Sequence, residues 1–192
     1  ETGSSTTGKM ELLLSEMSSD MLQQNLQALT NLSQQAIELI DRNLFERAAD
    51  VRWWSTDHVL WESLQGTGKK NMEAINKRLQ IINASYTMYR DLVVADANGR
   101  IVANSKAENR DKLEGQSVSD QYWFRQGMQM SKLVQFAAQD VCDSDLENEN
   151  TSLIYCSAIL ENGQRSGKPV GVLGILFDWE NQAQPILAGC LP

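Results

Sequence analysis

Between Tyr89 and Ser105 the chain reads YRDLVVADANGRIVANS, and no other stretch limits its folding choices as sharply. Two apolar runs flank Asp96-Ala97-Asn98-Gly99, and Asn-Gly at such a junction supplies the backbone freedom that a tight turn demands. The stretch therefore predicts a β-hairpin with strands over 92–95 and 101–104. What precedes it follows a different period.

From 10 to about 47 there is no proline, and Leu22, Leu26, Leu29, Leu32, Ala36, Leu39 and Ile40 recur at steps of three and four. That is the spacing of an amphipathic helix, with Gln23, Gln24, Gln34, Gln35 and Glu38 on its other face. A helix of this length exceeds what one small domain needs. Its stripe predicts either packing along an elongated domain or pairing with a second copy as a homodimer. Over 48–64 stand Trp53, Trp54 and Trp61, expected to pack the helix onto the rest of the domain, with an aromatic ligand cage as the alternative. Helical period returns at Met72, Ile75, Leu79, Ile82 and Tyr86, which makes 10–89 a helical region. Residues 1–9, small and polar, are expected to be a leader outside the fold.

Chain length allows one good-sized domain with a single core and a helical extension. The net charge of −8 argues against a nucleic-acid surface, which needs lysine and arginine gathered into a patch. No run of 18 apolar residues occurs, so no segment reads as a transmembrane helix, and any membrane attachment is expected through segments absent from this chain. Catalytic patterns are missing too. The one histidine, His58, has no cysteine near it in sequence, and neither G-x-S-x-G nor a phosphate-binding glycine loop is present. No enzyme, cofactor or metal site is expected. Asp143, Asp145 and Glu147 alternate as in a calcium loop, but Asn148 takes the place of the turn glycine and Ile154 that of the final glutamate. Three Asn-x-Ser/Thr triplets, at Asn31, Asn83 and Asn150, match the glycosylation pattern.

After the hairpin comes a polar segment, then a short helix over 122–130 with Ser119 or Asp120 as its cap. Three more strands are expected over 133–142, 152–160 and 170–179. Five strands in the order two, helix, three predict an α+β architecture, a long N-terminal helix packed on a five-stranded antiparallel sheet. The sheet domain covers 90–180, and 181–192, with Pro185 and Gly189, reads as a connection. If residue numbers across the 133–142 and 152–160 hairpin sum to 298, Cys142 faces Cys156 and Asp140 faces Ala158 on one side of the sheet. This register predicts a Cys142–Cys156 disulfide with Cys190 free, the alternative being two buried thiols.

The runs LVVADANGRIVANS, SVSDQYWFRQGM, YCSAIL and PVGVLGILFDW, in this order behind a long helix, resemble the Cache family of PAS-like extracytoplasmic sensor domains. The resemblance implies a periplasmic domain of an inner-membrane receptor, of chemotaxis or histidine-kinase type, that binds a small organic molecule. It places the ligand between the sheet and the connection after the second strand, at Tyr122, Trp123, Phe124 and Arg125, with Asp140 and Tyr155 on facing strands. Family members that bind amino acids carry Arg-x-Trp-Tyr in that helix. Here Gln121 stands in place of the arginine, which argues against an α-amino acid and leaves Arg125 to clamp a carboxylate. Asp140 or Asp178 would neutralise an amine. The expected ligand is thus an amine, an amino acid or a carboxylate. Two other functions compete: a ligand-free dimerisation module of a membrane-anchored protein, and a thiol-dependent enzyme using Cys142 or Cys156, which lacks a nearby base.

Overall fold

The computed structural model describes residues 2–66, 69–143, 146 and 151–190. They form two compact units, one holding the chain up to Arg42 together with the stretch from Pro185, the other being Asn43–Gln184. Asp145, Glu147 and Asn150 of the acidic loop lie outside the described residues, as do the side chains of Cys142 and Cys190.

The first unit is helical. Helix α1 (Thr2–Trp54) runs without a break, so residues 2–9, expected to be a leader, continue it. Gln27 donates to Asn31 and Gln34 to Glu38 at 3.0 Å, each across one helical turn. The apolar stripe lies open, with Leu22, Leu26 and Leu29 between 56% and 60% exposed. Residues 179–190, part of which reads as a connection in the sequence, form the last helix, with Pro185 inside it.

The second unit contains the end of α1, then α2 (His58–Gln65) and α3 (Lys69–Ala84). Asp57 caps α2 by accepting the Val59 N–H at 3.0 Å. Strands β1 (Tyr89–Asp96), β2 (Ile101–Asn104), β3 (Ala137–Asp143), β4 (Thr151–Leu160) and β5 (Pro169–Phe177) form one antiparallel sheet in the order β2-β1-β5-β4-β3. Helices α4 (Arg110–Leu113) and α5 (Tyr122–Met128) lie in the connection between β2 and β3, and α6 (Trp179–Cys190) follows β5.

The hairpin turns as its sequence predicts. Gly99 has φ +77°, its N–H donates to the Asp96 carbonyl at 3.0 Å, and the Asp96 carboxylate takes the Asn98 and Arg100 N–H groups at 2.9 Å. Glycine is required twice over at this position. A Cβ there would also lie 2.9 Å from the Ser119 Cα.

Both faces of the sheet are covered, and this explains why β1, β4 and β5 read as nearly continuous apolar runs. On one face Ala48, Val51 and Trp54 of α1, Leu60 of α2 and Ile75 and Leu79 of α3 pack on Leu92, Val94, Tyr155, Leu173 and Ile175. On the other, Leu113, Trp123 and Phe124 pack on Val93, Ala95, Ile154, Cys156, Val172 and Leu176. Alternate residues of each central strand serve opposite cores. Trp54 fills its expected packing role, edge-on to Tyr86 and Tyr89 at 5.0 and 5.3 Å, whereas Trp53 is 77% exposed.

Candidate functional site

On the α5 face, the tryptophan expected to line a ligand site is a core residue. Trp123 is fully buried, stands edge-on to Phe124 at 6.1 Å, and packs closely over Gly174, where a Cβ would come within 3.1 Å of the indole. Its indole N–H donates to Gln121 at 2.6 Å and its backbone N–H to the Gln139 side chain of β3 at 3.1 Å. Gln139 thus does the capping work expected of Ser119 or Asp120: the cap position is Gln121, whose side chain makes no capping bond. Phe124 is buried as well, while Tyr122 and Arg125 on the same helix are exposed.

Asp140 and Tyr155 lie elsewhere. Tyr155 belongs to the core on the α1 face, and together with Leu44, Ala138, Leu153, Asp140 and Trp179 it lines a cavity of about 350 Å³. The expected six-residue site is therefore split by the sheet: Tyr122, Trp123, Phe124 and Arg125 stand on one side, Asp140 and Tyr155 on the other. Strand alternation is the reason. Ala138 pairs with Tyr155 and Gln139 with Ile154, so residues one step apart point to opposite cores. Burial pushes the Tyr155 phenol up to about 12, against a smaller opposing effect of the Arg47 charge.

The same register removes the expected disulfide. Cys156 pairs with Ala137 and Cys142 with Ser152, because residue numbers sum to 293 before the irregularity between Gln139 and Cys142 and to 294 after it. The two cysteines stand four residues apart along the hairpin, about 13 Å at strand rise, beyond the reach of an S–S bond. Cys156 is a free, buried thiol. Burial raises it to about 12, with backbone hydrogen bonds at Ala137 and Gly127 pulling weakly the other way.

Two groups that sequence reasoning passed over stand out in the connection closing the α5 face. The Nε and Nη2 of Arg110 are buried with no hydrogen-bond partner, and so is the Oε1 of Gln116. This stretch is pinned to β2 by the Ile101 N–H donating to Gln116 and the Gly115 N–H to Ile101, at 2.9 and 2.8 Å. Only an arginine in a mixed polar run marks the place in the sequence. Toward the β3 edge of the sheet, the end of α5 and the approach to β3 enclose a cavity of about 370 Å³ lined by Gln126, Gln129, Met130, Val134, Gln135, Phe136 and Ala137. A third cavity, about 330 Å³, lies where Trp53, Trp54, His58 and Ile82 surround the Asp57–Arg78 ion pair. Asp178, weighed as an amine partner, instead holds Arg90 at 2.7 Å and Asn181 at the same distance.

No family model matches the chain. In fold, the sensory domain of the Campylobacter jejuni chemoreceptor Tlp3 with isoleucine bound aligns with a TM-score of 0.60 at 17% identity, covering 83% of this chain and 63% of that one. The chain has the PAS-like fold of Cache-type sensory domains. An extracellular ligand binding receptor from Desulfohalobium retbaense aligns with a TM-score of 0.62 at 15% identity, over 84% of this chain and 27% of the receptor. In sequence, the heat-inducible transcription repressor HrcA of Brevibacillus brevis is 28% identical over 144 residues, which are 73% of this chain and 40% of the repressor. The chain spans less than two thirds of the length of each of these proteins.

Proposed function

We propose that the chain is the extracytoplasmic ligand-binding domain of a transmembrane signalling receptor, of chemotaxis or histidine-kinase type, acting by binding a small organic molecule and not by converting it. One observation carries this: the sheet order β2-β1-β5-β4-β3, closed on one face by the α4–α5 connection, in a fold shared with a chemoreceptor domain solved with isoleucine bound. Ligand binding would act by differential affinity for two arrangements of sheet and connection. Among the described residues no helix is long and apolar enough to cross a membrane, so anchoring falls to other segments of the receptor. The repressor resemblance supports no DNA-binding role here, since the chain carries a net charge of −8.

The ligand of this sensor lies under the α4–α5 connection and bears a carboxylate. A buried guanidinium with two unanswered N–H groups is costly, and a carboxylate answers it with two parallel hydrogen bonds. Arg110 then takes the duty that Gln121, engaged by Trp123, does not perform. Tyr122 and Arg125 are the exposed side chains of α5 on this face of the sheet, while Trp123 and Phe124 belong to the core beneath them. A thermal-shift screen of amino acids, amines and carboxylates, followed by calorimetry, tests both parts. A carboxylate hit whose affinity falls about tenfold or more in Arg110→Ala is expected. No hit from a folded protein counts against the sensor reading, and a hit indifferent to Arg110 counts against the placement.

The same reading includes a homodimer through α1. Leu22, Leu26 and Leu29 present a ribbon of exposed apolar surface that a second helix would cover. Sedimentation velocity should show a dimer that Leu26→Glu converts to monomer. A wild-type chain that stays monomeric at high concentration would remove this part of the proposal.

A further inference from the structure

We infer that the cavity where α1 ends and meets α2 and α3 is a second binding site, and that it takes an uncharged sugar. Trp53, Trp54 and Ile82 form its apolar walls, and Thr56, Asp57, His58 and Arg78 its polar ones, around about 330 Å³, a volume within the range of small-molecule sites. Its two fixed charges answer each other. The Arg78 Nε donates to the Asp57 carboxylate, so the pair leaves no net charge for a charged ligand to match. Hydrogen-bonding capacity is left over instead. Among the described residues the Nη groups of Arg78 and the indole N–H groups of Trp53 and Trp54 make no hydrogen bond, and the Thr56 hydroxyl, which donates to the Trp53 carbonyl at 2.7 Å, keeps its oxygen for a donor. His58 adds a ring that, when neutral, offers one donor and one acceptor. Donors and acceptors side by side without net charge call for hydroxyl groups, each of which does both.

The open indole narrows the class further. Trp53 lines the cavity yet is 77% exposed, so the site is not closed on that side. A wholly apolar ligand gains from enclosure and would leave much of its surface in water here. A pyranose instead has one face of C–H groups and a rim of hydroxyls: the face lies on an indole, and the rim meets the polar wall and the solvent. The walls are set before any ligand arrives. Trp54 stands edge-on to Tyr86 and Tyr89 at 5.0 and 5.3 Å, and Asp57 is fixed by capping α2 at 3.0 Å as well as by Arg78. Trp54 and Ile82 belong to the core on one face of the sheet, while the α4–α5 connection packs on the other, so this site is independent of the carboxylate site.

Calorimetry on the whole chain with D-glucose, D-galactose, maltose and lactose tests the inference. D-glucitol serves as a polyol without a ring face, and benzyl alcohol as a ring without a polyol rim. At least one of the four sugars should bind saturably, with D-glucitol and benzyl alcohol each weaker by about tenfold or more. Trp53→Ala, at an exposed position that leaves the fold intact by circular dichroism, should weaken the sugar by a similar factor. Arg78→Lys, which keeps a cation beside Asp57 but removes the planar guanidinium fork, should also bind more weakly. Arg110→Ala should bind the sugar as the parent does. Absence of saturable heat up to about 10 mM sugar, equal affinity for either control compound, full affinity in Trp53→Ala or Arg78→Lys, or lost affinity in Arg110→Ala would each overturn the inference.

Discussion

The Nδ2 of Asn104 donates to the carboxylate of Asp91 at 2.9 Å, with both side chains out of solvent. Asp91 opens β1's apolar run and is fully buried, yet it has no cationic partner among its hydrogen bonds. It is held instead by the Ser105 N–H and hydroxyl at 2.9 and 2.6 Å, the Lys106 N–H at 3.1 Å, the Leu92 N–H at 2.9 Å and Asn109 at 3.0 Å. One carboxylate thereby ties β1, the end of β2 and the turn leading to Arg110 into a single knot.

Asp91→Ala should therefore cost about 3 kcal/mol, because several buried donors lose their acceptor at once. Urea unfolding monitored by circular dichroism measures it. A loss below about 1 kcal/mol would mean that water replaces the carboxylate without penalty.

Gly127 brings α5 against β5 closely enough that a Cβ would lie 2.4 Å from Cγ1 of Val172. Gly127→Ala should destabilise by about 1–3 kcal/mol through overpacking. Adding Val172→Ala should recover part of that loss although it removes core volume by itself. Strict additivity of the two substitutions would refute the contact.

Cys156 should resist alkylation in the folded protein and react only on unfolding, without any reductant, since burial keeps its thiol protonated to about pH 12. Mass mapping of iodoacetamide adducts checks this. Recovery of a Cys156-containing disulfide peptide would restore the pairing that the strand register excludes.

For Asp178, burial pushes the carboxyl upward, but hydrogen bonds from Asn181 and Arg90 outweigh it and hold the group below its ordinary value of 3.8. A depressed carboxylate stabilises the fold above its unfolded pKa and loses that contribution as pH falls through the folded value. Asp178→Asn should be less stable than the parent near neutrality, with the gap closing below about pH 4. A gap that persists unchanged into acid would show that the ion pair is not its source.

How far these features can be read from the chain varies with their physical origin. The hairpin at Asp96–Gly99 is legible because turn chemistry is local, and all five strands are legible because apolar runs between turn residues leave few alternatives. The extension of α1 through Trp53 and Trp54 is less so, since nothing in 48–54 distinguishes a continuing helix from a new one. The β3–β4 register is not legible at all. Ala137 and Ala138 fit either face, and the choice is made by Gln139 answering the Trp123 N–H from a distant part of the chain. The site suffers most from this. Asp140 is visible as a charge in a strand, but the face it serves depends on that register, and Trp123 is visible as an aromatic in a family pattern, but its close packing over Gly174 comes from a distant strand. Arg110 shows itself only when its surroundings are assembled.

Strand β4 has a practical consequence for anyone wishing to remodel one side of this domain. Leu153 and Tyr155 belong to one pocket wall, while Ile154 and Cys156 belong to the opposite core. A mutant library restricted to odd positions would reshape the cavity wall on the α1 face without disturbing the packing under α5, and an even-numbered library would do the reverse. One strand thus offers two independent sets of dials, chosen by residue parity.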